Sequence, residues 1–131
     1  MLQMKYTALV TVIAVAVTFY FSARVGIGRA KFDIKAPAMA GNPTFDRAVR
    51  VHANTVEQIV LFVPVLWIAT SVAGDAWAAA IGSVWILGRL IYAAGYVAHA
   101  DKRGLGMLVT LASTVVLVAI SVWGVMQAFI V

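Results

Sequence analysis

The chain has 131 residues, 63% hydrophobic and only 11% charged, with a net charge of +5 and no cysteine. Ordinary soluble domains are about 45–50% apolar and about 25% charged, so too few polar residues are present to coat a water-soluble enzyme. The lack of cysteine removes disulfides, thiolate nucleophiles and cysteine metal sites from consideration.

At about 20 residues per bilayer crossing, the length accommodates one domain of four spans. The first apolar run extends from Tyr6 to Ala23, between Lys5 and Arg24. A cleaved secretory signal carries its positive charge ahead of the run. Here the heavier charge follows it (Arg24, Arg29, Lys31, Lys35), so a retained span is expected. Next come Pro37, Gly41 and Pro43, residues that punctuate a connector. The second run begins near Asp46, is polar on one side in its first half, and ends near Ala73; Pro64 should kink it. Gly74-Asp75 is a minimal turn, with Asp75 read as a turn residue, so the second and third helices form an antiparallel hairpin. The third run goes from Ala76 to about Ala100, interrupted only by Arg89, and the fourth from Leu105 to Val131 is uncharged. The expected fold is all-α: one integral membrane four-helix bundle over 1–131, with helices at about 5–27, 46–73, 75–100 and 105–130.

Charge sets the expected topology. Between Arg24 and Arg50 there are six Arg or Lys against Asp33 and Asp46, which gives +4 of the total +5. The loop after the third helix adds Asp101, Lys102 and Arg103. Both loops lie on one side of a four-span protein, and the positive-inside rule puts 24–50 and 101–106 in the cytosol. Both termini are then non-cytosolic, in the inner membrane if the source is bacterial. The basic charge reports topology, not a nucleic-acid partner.

Charged side chains in the hydrocarbon region usually face a bundle interior, a partner or a wet cavity. Arg47, Arg50, Asn54 and Glu57 are spaced three, four and three residues apart, which places them on one face of the second helix with Gln58 at its edge. Arg89, Tyr92, Tyr96, His99 and Arg103 follow the same rhythm on the third. Glu57 lies roughly 15 Å beyond Arg47 and Arg89 roughly 21 Å before Arg103, at 1.5 Å per residue. Glu57 and Arg89 alone could be a buried ion pair that only fixes packing. The two full stripes instead describe a cleft with a basic mouth, floored by one carboxylate and one guanidinium. Several arginines suit a ligand with two or more carboxylates, while Glu57 and Asn54 suit an ammonium and amides. A small anionic peptide with a free amine meets both requirements.

The segment Phe45-Asp46-Arg47-Ala48-Val49-Arg50-Val51-His52-Ala53-Asn54-Thr55-Val56-Glu57 resembles the second-helix signature of the MAPEG family, the membrane-associated proteins in eicosanoid and glutathione metabolism. Arg89-Leu90-Ile91-Tyr92, Gly95-Tyr96 and Arg103 resemble the third-helix segment of its leukotriene-synthase and transferase branch, and Arg29 falls at a ligand-binding arginine of that branch. The resemblance spans helices one to three and includes the microsomal glutathione transferases. It implies a homotrimer with glutathione, as co-substrate, bent into a subunit interface. Arg50, Asn54, Glu57, Tyr92 and Tyr96 would hold the peptide, with Arg29 contributed by a neighbouring subunit and Arg89 buttressing the floor. Arg103 would be the catalytic residue, its charge beside the thiol. The second substrate would be a hydrophobic electrophile or lipid hydroperoxide taken from the bilayer, so membrane lipid is a partner as well. Gln58, also placed in the glutathione set, stands where the leukotriene branch has a tyrosine, and Gly-Leu-Gly follows Arg103 where proline is often found. A general detoxifying transferase or peroxidase is therefore the preferred expectation over a dedicated eicosanoid synthase.

Two alternatives differ in class. One is a non-catalytic lipid-binding or scaffold protein on the same fold, against which the retained Arg103 stands. The other is a small multidrug exporter, which usually needs a carboxylate in helix one, where Tyr6–Ala23 has none. His52 and His99 are expected as an interface hydrogen-bonding residue and a solvated one, since two isolated histidines do not form a metal site. Trp77 sits at an expected membrane boundary.

Overall fold

The computed structural model describes residues 3–130, so Val131, the last residue of the fourth apolar run, lies outside the described residues. Four helices follow in order: α1 (Lys5–Phe32), α2 (Pro43–Ala73), α3 (Asp75–Ala98) and α4 (Gly104–Ile130), with a 3-10 turn at Ala100–Arg103 before α4. All four are long and apolar enough to cross a membrane.

α1 continues past the expected end near 27 to Phe32. No proline interrupts that stretch, and Arg29 and Lys31 in the last turn complement the negative end of the helix dipole. Asp33 in the left-handed region (φ 51°) stops it. The connector is therefore only 33–42. Pro43 belongs to α2, at the first helical position where its missing N–H costs nothing. The Asn42 side chain caps α2 by accepting from the Thr44 and Phe45 amides at 2.9 and 3.4 Å. Asp46 reaches back to the Gly41 amide at 3.0 Å. α2 runs as one helix through Pro64.

Gly74 is the whole joint between α2 and α3; its φ of 91° suits glycine and reverses the chain in one residue. Asp75 does more than turn the chain. Its two carboxylate oxygens accept the Tyr6 and Thr7 amides at 3.0 and 2.8 Å, so a residue of α3 caps the start of α1. Helix N-termini carry unsatisfied amides that a carboxylate stabilises. Asp75→Ala is expected to lower the detergent-state melting temperature by roughly 3 °C, measured by circular dichroism or dye-based melting.

The core is a column of apolar side chains with Phe62 stacked on Trp85, ring centroids 4.3 Å apart and planes 7° from parallel. Val10 and Ala14 of α1 and Leu117 of α4 complete it. The buried face of α4 is small and hydroxyl-bearing: Gly106, Thr110, Ser113, Thr114 and Ser121 beside Leu117. Lipid supplies no hydrophobic drive between helices, so close packing and hydrogen bonds between them hold such bundles together. Here Ser113 donates to the Ile81 carbonyl at 2.7 Å and Ser121 to the Val65 carbonyl at 3.1 Å. Thr7 and Thr70 join at 2.8 Å, and the Trp67 indole donates to Thr11 at 3.1 Å. A Cβ at Gly88 would meet the Thr110 backbone nitrogen at 2.6 Å, and one at Gly106 would run into the Tyr92 backbone. α3 and α4 thus touch backbone to backbone beside Tyr92.

Candidate functional site

Tyr92 belongs to a column of two stacked rings with a guanidinium at each end. The Arg89 guanidinium carbon lies 4.2 Å from the Tyr92 ring centroid. Tyr92 and Tyr96 stack with centroids 5.6 Å apart and planes 11° from parallel. The Arg103 guanidinium carbon then lies 5.6 Å from the Tyr96 centroid. All three separations fall within the range where cation–ring and ring–ring attraction operates. The stripe is not one helix face throughout. α3 ends at Ala98, His99 is extended (φ −150°, ψ 134°), and the 3-10 turn returns Arg103 to the column. Gly95 allows this return, because a Cβ there would collide with the Lys102 carbonyl.

Arg89 is 1% exposed. Its Nη2 donates to the Asn54 side-chain oxygen and to the Thr55 hydroxyl, both at 3.0 Å. It does not pair with Glu57, which is exposed on this chain. The reason is angular. Arg89 enters the wedge between Asn54 and Thr55, and at about 100° per residue Glu57 lies roughly 110° around α2 from the middle of that wedge and most of a turn further along. The Arg89 Nε is buried without a hydrogen-bond partner among the described residues. A cavity of about 360 Å³ opens here, walled by Asn54, Gln58 and Arg89 on one side and by Met107, Leu108 and Leu111 of α4 on the other. Amide and guanidinium groups thus meet an apolar wall that continues along a membrane-spanning helix.

Of the residues singled out in the sequence, Asn54, Gln58 and Arg89 share this cavity, and Tyr92, Tyr96 and Arg103 extend from it in the column. Arg50 and Glu57 flank Asn54 by about a turn on either side and are exposed. Arg47 is drawn out of the cleft: its Nε donates to the Val97 carbonyl at 3.2 Å and its Nη2 to Thr44 at 3.4 Å, tying the start of α2 to the end of α3. Arg29 is engaged by its own connector, donating to the Ala38 carbonyl at 2.6 Å and to the Met39 sulfur at 3.2 Å, 5.2 Å from the Phe45 ring centroid. Thr55 holds Arg89 as directly as Asn54 does, yet nothing marked it: a threonine off the polar stripe reads as helix filler. Its hydroxyl also donates to the Val51 carbonyl at 2.7 Å, which orients it for the arginine.

The model of the MAPEG family matches residues 7–123. This chain belongs to the MAPEG family. It is 32% identical over 123 residues to microsomal glutathione S-transferase 2 of Homo sapiens, covering 94% of this chain and 84% of that protein. Bovine leukotriene C4 synthase is 32% identical over 128 residues, or 98% and 85% of the two chains. An uncharacterized protein of Synechocystis sp. is 38% identical over 116 residues, 88% and 85%. As a MAPEG member with four candidate spans, the chain is an integral, multi-pass membrane protein, an all-α four-helix bundle.

Proposed function

We propose that this MAPEG chain is a membrane-bound glutathione transferase and peroxidase that activates the glutathione thiol against hydrophobic electrophiles or lipid hydroperoxides. The carrying observation is the column from buried Arg89 through Tyr92 and Tyr96 to Arg103, set beside the Asn54–Gln58 cavity. The glutathione S-transferase named among its relatives supports the same reading. Asn54, Gln58, Tyr92 and Tyr96 bind the peptide, and Arg50 and Glu57 complete its charged contacts, with Arg29 supplied by a neighbouring copy. Arg89 fixes the orientation of Asn54. Arg103 stabilises the thiolate.

An unperturbed thiol titrates near pH 8.5 and only its thiolate is a good nucleophile. A guanidinium beside the sulfur lowers that pKa and remains charged in a partly dry site. The thiol proton leaves to water; sulfur then attacks the electrophilic carbon, a C–S bond forms, and the leaving group or opened oxygen takes the electron pair. With a hydroperoxide, sulfur attacks the outer oxygen, the O–O bond breaks and the alcohol leaves. A second glutathione then reduces the sulfenic acid to disulfide and water. The Met107, Leu108 and Leu111 wall lets the second substrate arrive from lipid without passing through water.

Assembly follows from depth. Counting about 20 residues back from the Gly74 turn for a core of about 30 Å places Glu57 inside the hydrocarbon region. An exposed carboxylate there requires a polar neighbour, which a homotrimer provides. The basic segments around the α1–α2 and α3–α4 connections face the cytosol in this proposal.

Titrating glutathione into the detergent-purified protein at neutral pH is expected to raise a saturable thiolate absorbance. Absence of both the signal and calorimetric binding would overturn the reading in favour of a scaffold. Binding without thiolate would remove Arg103 from the reacting sulfur.

A further inference from the structure

A second, larger cavity of about 600 Å³ lies on the opposite flank of the bundle, between α1, the start of α2 and the end of α3. It shares none of the residues assigned above to glutathione. Tyr20, Phe21, Leu90, Ala94 and Val97 make most of it apolar, yet Arg24 and Lys31 of α1 also line it, and among the described residues no acidic one does. The two cations are seven residues apart, two turns along the same face of α1.

Its depth in the membrane can be read from the helix starts. Asp75 accepts the Tyr6 and Thr7 amides, so α1 and α3 begin at one level and run in the same direction. Eighteen residues on, α1 has reached Arg24 and α3 Ala93, about 27 Å at 1.5 Å per residue. That is close to the roughly 30 Å thickness of the hydrocarbon core. Leu90 and Ala94 therefore lie at or below the boundary and Lys31 beyond it. A site with cations at headgroup level and an apolar trough beneath them matches one kind of molecule, an amphiphile with an anionic head. The volume is within the roughly 300–1,000 Å³ typical of organic ligand sites and is far more than a bare phosphate fills.

We propose that this groove is a binding site for an anionic membrane phospholipid, its phosphate held by Arg24 and Lys31 and an acyl chain laid along Leu90 and Ala94. Arg24 and Lys31 thus have a ligand as well as a topological role. The proposal stands whether or not the glutathione reading holds.

The test is native mass spectrometry of the full-length protein in detergent, with phosphatidylglycerol or phosphatidylcholine of identical acyl chains added. Phosphatidylglycerol should be retained selectively, one molecule per chain. Each basic residue near a membrane surface contributes about fivefold to binding an anionic lipid, so the Arg24→Ala, Lys31→Ala double variant should bind it about thirty-fold more weakly. Ala94→Trp fills the trough with both charges intact and should also expel the lipid. All three positions are exposed, so melting temperature should stay at the wild-type value and confirm that the variants fold. Equal retention of the two lipids, or unchanged retention in the double variant, would overturn the proposal. Displacement of the lipid by inorganic phosphate at matched concentration would also overturn it, in favour of a simple anion site.

Discussion

Arg103→Ala is expected to lower conjugation at neutral pH about twenty-five-fold while glutathione still binds. Arg103 is exposed and its one assigned contact is the face of Tyr96 at 5.6 Å, so its loss removes charge without removing packing. If the guanidinium lowers the thiol pKa by about two units, from about 8.5 to about 6.5, its removal cuts the thiolate fraction about twenty-five-fold at pH 7 and close to a hundredfold below about pH 6. The deficit should shrink as pH rises through the ordinary thiol range, because the free thiol then ionises unaided. A pH–rate profile shifted upward with near-normal glutathione affinity separates this role from damage to the fold. Arg103→Lys keeps the charge but loses the planar stacking group, and should recover only part of the rate. Wild-type turnover in the alanine variant would refute the assigned role.

Gly106→Val is expected to be the most damaging single change to stability. The new side chain would occupy the space of the Tyr92 backbone, one turn of α3 from the point where Gly88 meets Thr110. Neither obstacle is a flexible side-chain tip, so the helices must separate. Overpacking of a well-filled interface costs about 1–3 kcal/mol, and the upper end applies where backbone must move. Separation would also displace the Tyr92–Tyr96 stack, so glutathione binding should fall with the melting temperature. Gly26→Ala is the internal control. A Cβ there meets nothing within 4 Å among the described residues, and an exposed helical glycine replaced by alanine gains up to about 1 kcal/mol. Equal behaviour of the two variants in a detergent melt would count against the close α3–α4 crossing.

The number and nature of the helices were legible in the sequence because hydropathy runs and loop charge need no tertiary information. Periodicity also placed Arg89, Tyr92 and Tyr96 on one face. What it could not provide was the partner across the bundle: Arg89 meets Asn54 and Thr55, not the oppositely charged Glu57. Matching by charge and depth ignores the rotation of each helix about its axis. Helix boundaries slipped for a local reason. Pro37, Gly41 and Pro43 together look like a connector in sequence, whereas Pro43 with Asn42 before it is a helix-start pair. The uncharged fourth run concealed its own signal. Gly106, Thr110, Ser113, Thr114 and Ser121 recur at helical spacing, a stripe of small and hydroxyl residues in apolar surroundings, and in lipid such a stripe marks the packed face.

The cap on α1 bears on how the chain is made. Tyr6 waits 69 positions for the carboxylate of Asp75. At about 5–20 residues per second, several seconds of translation separate the two. Through that interval the first amides of α1 must find water or lipid headgroups, and they exchange these for Asp75 when the α2–α3 hairpin arrives. The hairpin thus fastens a helix that entered the membrane before it, linking the order of insertion to the order of assembly.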